Sequence, residues 1–488
     1  MFTGLSVMTI IQYNTRSYSK ILQKCVKIFD NSWIFAHLLR TFVSNNSYYI
    51  TLHKVLILGV MLVQFSFGNY KCFKDENRLS VLAPGGKSYS NYAIKTPFRY
   101  SVVKTVPIYG ANASGKSKVL EAFKFMKCVI CPPMRKGKIP VFDYWQTKYD
   151  PFRLDTDSKN KDSFFECIFI LNNIQYRYGF EINADRITSE WLYQKKQREV
   201  LILSRKGEDE LYANPNDINV KISENVISAG MLSETVPFVS ILSTFNDPLC
   251  KSVVDWFDDV LVISANDIKA PGGLLADPSR TDVIVKFLKA FDFNIEGLSL
   301  HELPYEDIPE KIKLILDVKD KSGTFYDGIH TQHIVYNDLY ERDSTTNFRL
   351  EVDESFGTNR LFHLSWPIIS AIREGKPLMI DEIDSGIHPN IVRMLIDLFN
   401  RCTSNAQLIF TTHNTSLFNA KGYDDLPLFK KDQVYIVNKD RYGESNLKPI
   451  TYFGSDLRSN IEKVYLSGEV KGVPYLDIDA ILDIMEGK

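Results

Sequence analysis

The chain has 488 residues, which is enough for two or three domains or for one large α/β unit with an insertion. Charged residues make up 24% of it and leave a formal net charge of -1, which excludes the chain-wide field of a general nucleic-acid or anionic-membrane binder. The seven cysteines are scattered and odd in number, as is typical of a reducing compartment, so we expect a cytoplasmic protein.

The first sixty residues differ from the rest of the chain, because they are aromatic and basic and follow no sustained period. Their longest apolar run, Val55 to Val63, has about nine residues and falls short of the ~18 that a membrane-spanning helix needs. We therefore predict no membrane segment. Two interpretations of residues 1–60 stay open: a mis-assigned start with translation from Met61, or a genuine extension that is disordered, as chain termini often are.

The first regular region, residues 61–204, combines α/β and antiparallel signals. Thr105–Tyr109 is a β-prone run that enters a Gly-rich turn, and the apolar spacing within Lys118–Lys127 predicts a helix after it. Farther along, Ser163–Ile170 and Gln175–Ile182 predict two paired strands. We expect one lobe of an α/β fold with an antiparallel, β-rich part.

Three further regions follow. Residues 205–340 alternate short helical and β-like pieces without heptads, which favours an inserted, mainly helical or mixed subdomain. In residues 341–452 the α/β signal returns, with strands predicted at Leu378–Ile380 and Gln407–Thr411. Residues 453–488 are predicted to form a C-terminal helical tail.

A phosphate-binding motif is complete at Gly110-Ala-Asn-Ala-Ser-Gly-Lys-Ser117, which matches G-x-x-x-x-G-K-[ST] between a predicted strand and a predicted helix. The glycines let backbone N–H groups face the phosphates, and the lysine places a charge on the β/γ oxygens. The terminal serine hydroxyl is expected to hold Mg²⁺. The predicted nucleotide-binding residues are Gly110, Asn112, Ser114, Gly115, Lys116 and Ser117. The motif therefore predicts binding of ATP with Mg²⁺.

Two carboxylates, Asp381 and Glu382, end the apolar strand that begins after Lys376. Asp381 is expected to hold Mg²⁺, and Glu382 is suited to orient or deprotonate the attacking water. His413 ends the next strand and is expected to contact the γ-phosphate. A solvated strand end and a structural histidine are the alternatives, but after a phosphate loop these residues predict an ATPase.

Taken together, these residues resemble the ABC-type ATPases of the broad AAA-labelled group, which includes SMC-like proteins and many bacterial defence ATPases. The chain specifically resembles the RloA/AbiL-type ATP-binding proteins of restriction and abortive-infection loci, and this resemblance covers nearly everything from Met61 onward. Besides the loop and the acidic pair, the similar segments are Phe65–Phe73, Tyr176–Phe180, Glu354–Leu361, Asp384–Pro389 and Tyr465–Gly468.

The resemblance implies a P-loop NTPase fold of ABC-ATPase type, in which ATP lies between two head domains, and hence a homodimer or a higher oligomer. In this family the signature, D-loop and switch positions match Ser355, Gly357, Thr358, Asp384 and His413. Phe356 departs from the signature, where the family has a small residue. The nearest candidate for the family's Q-loop glutamine is Gln146.

The sequence leaves more than one function open. The first hypothesis is an ATP-driven switch in anti-phage, abortive-infection defence, with residues 205–340 contacting a separate effector. The alternative is an SMC-like DNA-repair or DNA-binding ATPase, although no basic, aromatic-interleaved stretch supports DNA binding and too few residues follow Phe453 for a fused nuclease. A transporter subunit is disfavoured by the long separation between Ser117 and Asp381.

Overall fold

The structure, a computed structural model, describes most of the chain after the first 59 residues. The described residues are 60–84, 92–131, 148–207, 210–265, 275, 277–303, 325–454, 461–470, 472–473 and 478–486. The predictions for residues 1–59 and for Gln146 therefore fall outside the described residues. Within the described part of the chain, no helix is both long enough and apolar enough to cross a bilayer.

The described strands, numbered in chain order, fall into four sheets. They are β1 (Met61–Gly68), β2 (Asn77–Ser80), β3 (Ala93–Lys95), β4 (Ser101–Val103), β5 (Thr105–Gly110), β6 (Ser163–Leu171), β7 (Ile174–Ile182), β8 (Ile187–Lys195), β9 (Glu199–Lys206), β10 (Glu210–Ala213), β11 (Leu261–Ile263), β12 (Gly297–Leu303), β13 (Phe325–Tyr336), β14 (Arg342–Arg349), β15 (Pro377–Ile380), β16 (Gln407–Thr411), β17 (Tyr435–Lys439) and β18 (Ser445–Pro449).

The described α-helices are numbered in the same way. They are α1 (Lys116–Ile130), α2 (Val220–Ser228), α3 (Phe238–Thr244), α4 (Pro248–Asp259), α5 (Pro278–Ala290), α6 (Leu350–Asp353), α7 (Phe356–Glu374), α8 (Pro389–Arg401), α9 (Ile461–Leu466) and α10 (Ile478–Glu486).

The largest sheet has seven antiparallel strands in the order β10-β9-β8-β7-β6-β1-β2. Along β6, Phe165, Cys167 and Phe169 are buried while Phe164, Glu166 and Ile168 between them are half-buried, so one face of the sheet packs on the core. Asn172 and Asn173 join β6 to β7 with φ values of 53° and 63°, which a two-residue type I′ hairpin turn requires. The predicted strand pair and the antiparallel, β-rich lobe are confirmed.

A second sheet has six strands in the order β11-β15-β16-β5-β17-β18, and only the β17–β18 pair is antiparallel. Every residue of β5, β15 and β16 is buried, as expected for parallel strands covered on both faces. The carboxyl ends of these three strands lie at one edge of the sheet, where α/β folds bind ligands. This mixed sheet confirms the predicted α/β fold class and brings three sequence-distant segments together.

Two apolar cores cover the six-stranded sheet. On β15 and β16, Met379 and Ile409 belong to the core shared with α1 and the antiparallel sheet, whereas Leu378 and Phe410 belong to the core under α7 and α8. Helices α3 and α4, from the region predicted to be inserted, add buried side chains such as Trp256 to the first core. The domain boundaries remain predictions.

Candidate functional site

The turn between β5 and α1 can be built only with glycines at its two ends. Gly110 has φ = 156°, and a Cβ there would collide with the carbonyl oxygen of Val437 and lie 2.6 Å from Oγ of Ser114. Gly115 has φ = 108°, and a Cβ there would lie 2.7 Å from Sγ of Cys72. Because L side chains rarely adopt this backbone region, the glycines of the motif are structural requirements of the loop.

Lys116 projects into the curve of this loop and is only 5% exposed. Its Nζ donates to the carbonyl oxygens of Gly110 and Ala111, each at 2.9 Å. Burial lowers the pKa of Lys116 to about 8, against the opposing effect of the carboxylates of Glu382, Asp381 and Asp384. Among the described residues no carboxylate forms an ion pair with this amine, so a phosphate would be well placed to supply the missing negative charge.

The start of α1 offers further donors. No side chain caps this helix N-terminus, and within the described part of the chain the buried Oγ of Ser114 has no hydrogen-bond partner. The Ser445 hydroxyl fixes the loop from behind by donating to the carbonyl of Ser114 at 2.6 Å. Asn112 lies exposed on the loop and Ser117 is half-buried in the first turn of α1. This donor set fits the phosphates of a nucleotide.

One buried hydroxyl holds the carboxylate of Asp381 and the backbone of Glu382 after β15. Oγ1 of Thr411, at the end of β16, donates to Oδ1 of Asp381 at 2.6 Å and accepts from the backbone N–H of Glu382 at 2.7 Å. Glu382 has φ = 48°, a strained value for a residue with a side chain. Thr411 therefore orients Asp381 and stabilises the turn that presents Glu382. The oxygens of Asp381 and Ser117 are of the kind that Mg²⁺ prefers as ligands.

Arg360 supports the same edge from the other side. This side chain on α7 is 1% exposed, and it donates to the carbonyl oxygens of Asp381 at 3.0 Å and Ala265 at 3.4 Å. It thereby joins the end of β15 to the residues after β11. The sequence analysis missed both Arg360 and Thr411. For Arg360 the available signal was a charged residue among the mostly apolar buried positions of α7.

His413 follows β16 and lies beside this group. Its side chain is exposed, and its backbone N–H donates to Oδ2 of Asp384 at 3.3 Å. Partial desolvation and the charge of Lys116 lower the pKa of His413 below its usual value, against the opposing carboxylates. A neutral imidazole is therefore favoured near neutral pH, and it can exchange hydrogen bonds with a phosphate or a water.

The residues predicted to form the signature lie at the N-terminus of α7. Ser355 caps α7, because its Oγ accepts from the backbone N–H of Thr358 at 3.1 Å. Phe356 is 55% exposed and packs over Gly386, where φ = 71° and a Cβ would collide with the ring. Gly357 lies against the same turn, since its Cβ would lie 2.6 Å from the Gly386 carbonyl oxygen.

The structure therefore brings the phosphate loop, the acidic pair and His413 to one sheet edge. Among the described residues, no hydrogen bond or ion pair joins the signature to the phosphate loop of the same chain. Ser355 is exposed to solvent at the start of α7.

Comparison with known proteins identifies one family. A sequence model of the family described as "AAA domain, putative AbiEii toxin, Type IV TA system" matches residues 108–215 and 263–419, which is more than half of the chain. The matched residues include the phosphate loop, the acidic pair and His413. No curated protein sequence matches the chain.

Several solved structures also match the chain. The SMC head domain from Thermotoga maritima is 12% identical, with a TM-score of 0.35 over 80% of this chain and 98% of that one. An SmcHead bound to the C-winged helix domain of ScpA is 14% identical, with a TM-score of 0.36 over 79% and 97%. An Smc head domain with an extended coiled coil, bound to the C-terminal domain of ScpA and derived from Pyrococcus furiosus, is 13% identical, with a TM-score of 0.35 over 84% and 99%.

Proposed function

Because the chain belongs to the AbiEii-type AAA-domain family of P-loop ATPases, we propose that it binds ATP with Mg²⁺, hydrolyses it, and acts as a nucleotide-driven switch. One observation carries this proposal. A buried lysine inside a phosphate loop and the Asp381–Glu382 pair, fixed by Thr411 through the Asp381 carboxylate and the Glu382 N–H, meet at the carboxyl ends of parallel strands in one sheet.

The residues of the site divide the work of phosphoryl transfer. The loop backbone and the start of α1 bind the phosphates, and Lys116 exchanges two carbonyl partners for phosphate oxygens. Ser117 and Asp381 would hold Mg²⁺, which would supply charge neutralisation on the phosphates. Glu382 orients or deprotonates the attacking water, and the neutral imidazole of His413 holds the water or a γ-phosphate oxygen by a hydrogen bond.

A homodimer completes the proposal. The exposed Ser355, at the N-terminus of α7, is suited to meet the phosphates of an ATP bound by a second copy. Ser355 makes no described hydrogen bond to its own phosphate loop, which agrees with a role across an interface.

The biological setting rests on similarity. The family description and the resemblance to RloA/AbiL-type proteins support a role in anti-phage, abortive-infection defence, in the cytoplasm and with a separate effector. Residues 205–340 remain the proposed contact region for that effector. No observation on the described residues favours the DNA-binding alternative.

The test compares the purified full chain with Lys116→Ala and Glu382→Gln, and with Glu224→Gln as a control for an exposed carboxylate on α2. We expect Lys116→Ala to lose ATP binding. We expect Glu382→Gln to bind ATP but to turn over at least ~100-fold more slowly, because general-base catalysis is typically worth 10² or more. Mass photometry should show an ATP-dependent dimer that accumulates in Glu382→Gln.

Each negative result removes a different part of the proposal. A wild-type chain that neither binds nor hydrolyses ATP with Mg²⁺ would refute the ATPase. If Glu382→Gln hydrolyses ATP at the wild-type rate, only the role of that carboxylate is refuted. If the chain stays monomeric at saturating ATP, the ATP-bound homodimer is refuted.

A further inference from the structure

The segment Tyr465–Gly468 has no role in the site described above, yet it packs directly beneath that site. Tyr465 lies on α9 and is 5% exposed. Its ring meets the ring of Tyr109 edge-on with centroids 5.9 Å apart and meets Phe418 at 5.4 Å, while Tyr109 and Phe418 stack at 4.2 Å. Tyr109 immediately precedes the phosphate loop, and Phe418 ends the short turn that follows His413.

The hydroxyl of Tyr465 fixes the chain that follows α9 against this group of rings. It donates to the carbonyl oxygen of Gly472 at 2.7 Å. Burial raises the pKa of Tyr465 to about 12, so the hydroxyl stays protonated and able to donate.

The chain beyond α9 is shaped to make this contact. Gly468 turns the backbone with φ = 81°, and the chain returns across the Tyr465 ring. At Gly472 a Cβ would lie 2.6 Å from Cε2 of Tyr465 and 2.9 Å from Cγ2 of Ile436, so only glycine fits there. Val470, between the two glycines, is 1% exposed. The glycine of the Tyr465–Gly468 segment therefore serves to bring Gly472 over the tyrosine.

The same helix also holds the segment that follows His413. Glu462, one turn before Tyr465, accepts from the Thr415 hydroxyl at 3.1 Å and from the side-chain amide of Asn419 at 2.6 Å. Those two residues bracket the turn Thr415–Phe418. Tyr109 makes a third hydrogen bond to this segment, because its hydroxyl donates to the carbonyl oxygen of Asn414 at 3.1 Å.

We propose that α9 and the turn after it form a positioning element of the ATP site, in which Tyr465 holds the entry to the phosphate loop and Glu462 holds the segment carrying His413. The inference rests on the proposed ATPase function. Neither side chain belongs to the groups placed around ATP, so both act through the residues they support. Because their contacts differ, the two residues govern different steps: Tyr465 governs ATP binding, and Glu462 governs turnover.

The experiment uses the full chain and four variants: Tyr465→Phe, Glu462→Gln, Glu462→Ala and, as a control on the exposed face of α9, Leu466→Ala. Binding is measured with a non-hydrolysable ATP analogue, and kcat, KM and the melting temperature are measured in parallel. We expect Tyr465→Phe to raise Kd and KM about 5-fold with kcat nearly unchanged, as loss of one hydrogen bond suggests. We expect Glu462→Ala to lower kcat by about 5-fold or more with Kd nearly unchanged, and Glu462→Gln to lie between it and the wild type.

Other results overturn the inference. If Tyr465→Phe and Glu462→Ala bind the analogue and turn over ATP like Leu466→Ala, α9 merely stabilises the fold. The same conclusion follows if the two variants melt at a lower temperature but keep the wild-type kcat and KM when assayed well below it. If Kd and kcat change together in both variants, the division between the two residues is wrong. In each of these cases the proposed ATPase function still holds if the wild-type chain hydrolyses ATP. If the wild-type chain does not bind the analogue, both the ATPase function and the positioning role of α9 are refuted.

Discussion

Thr411→Val removes one hydroxyl and keeps the shape of the side chain, which isolates the link between the Asp381 carboxylate and the backbone N–H of Glu382. Thr411 is fully buried, and its hydroxyl makes the 2.6 Å bond to Asp381 and the 2.7 Å bond from the N–H of Glu382. A lost hydrogen bond to a charged group costs about 1.5–3 kcal/mol, and an unsatisfied buried N–H costs about 1–3 kcal/mol. Because Asp381 is 7% exposed and water can replace part of its bond, we expect a total loss of about 2–4 kcal/mol.

The same change should also slow catalysis. Without the hydroxyl, Asp381 loses the bond that orients its carboxylate, and Glu382 loses a support for its φ of 48°. Removing a group that orients a metal ligand typically costs 10- to 100-fold in activity, so we expect a fall in kcat of about that size.

Urea unfolding followed by tryptophan fluorescence, together with steady-state ATPase rates, tests both expectations. Thr411→Ser is the matched control, since it keeps the hydroxyl and loses only a buried methyl group worth about 1 kcal/mol. The reasoning is refuted if Thr411→Val unfolds at the same urea concentration as Thr411→Ser and hydrolyses ATP at the wild-type rate.

Three further predictions concern residues around the same edge. Gly386→Ala should lower the free energy of unfolding in urea by about 1–3 kcal/mol, because its Cβ collides with the Phe356 ring and its φ of 71° disfavours a side chain. Adding Phe356→Ala should recover the part of this loss that the collision causes but not the part that the backbone angle causes. Arg360→Met should lower both the urea midpoint and kcat, because the backbone carbonyl of Asp381 loses a buried donor worth about 1–3 kcal/mol; unchanged values would show that the guanidinium is dispensable. Burial and the charge of Arg360 lower the pKa of His363 from 6.5 to about 4, so the unfolded chain takes up a proton there first and stability falls as pH drops from 6.5 toward 4. His363→Phe should make that fall shallower in urea titrations at pH 7, 5.5 and 4.5, and an equal slope in both proteins would contradict the assignment.

The sequence determined those features whose physical cause lies within a few residues of one another. The phosphate loop is one, since two glycines with φ of 156° and 108° and a lysine at fixed spacing specify both the turn and the charge. The hairpin at Asn172-Asn173 is another, because turn chemistry and alternation fix its register locally. The acidic pair could also be found, as polar residues at the end of a wholly apolar strand.

Only the tertiary structure decided which sequence-distant groups meet. The parallel pairing of β11 with β15 joins Leu261 to Leu378, and no local pattern specifies such a partner. Periodicity shows that a face is buried but not what covers it, so it could not reveal that Arg360 reaches the carbonyl of Asp381 or that Thr411 bonds its carboxylate. Tyr465 shows the same limit. Similarity marked its segment, but its contact with Tyr109, which precedes the phosphate loop, exists only because the fold returns the C-terminal chain to the carboxyl edge of the sheet.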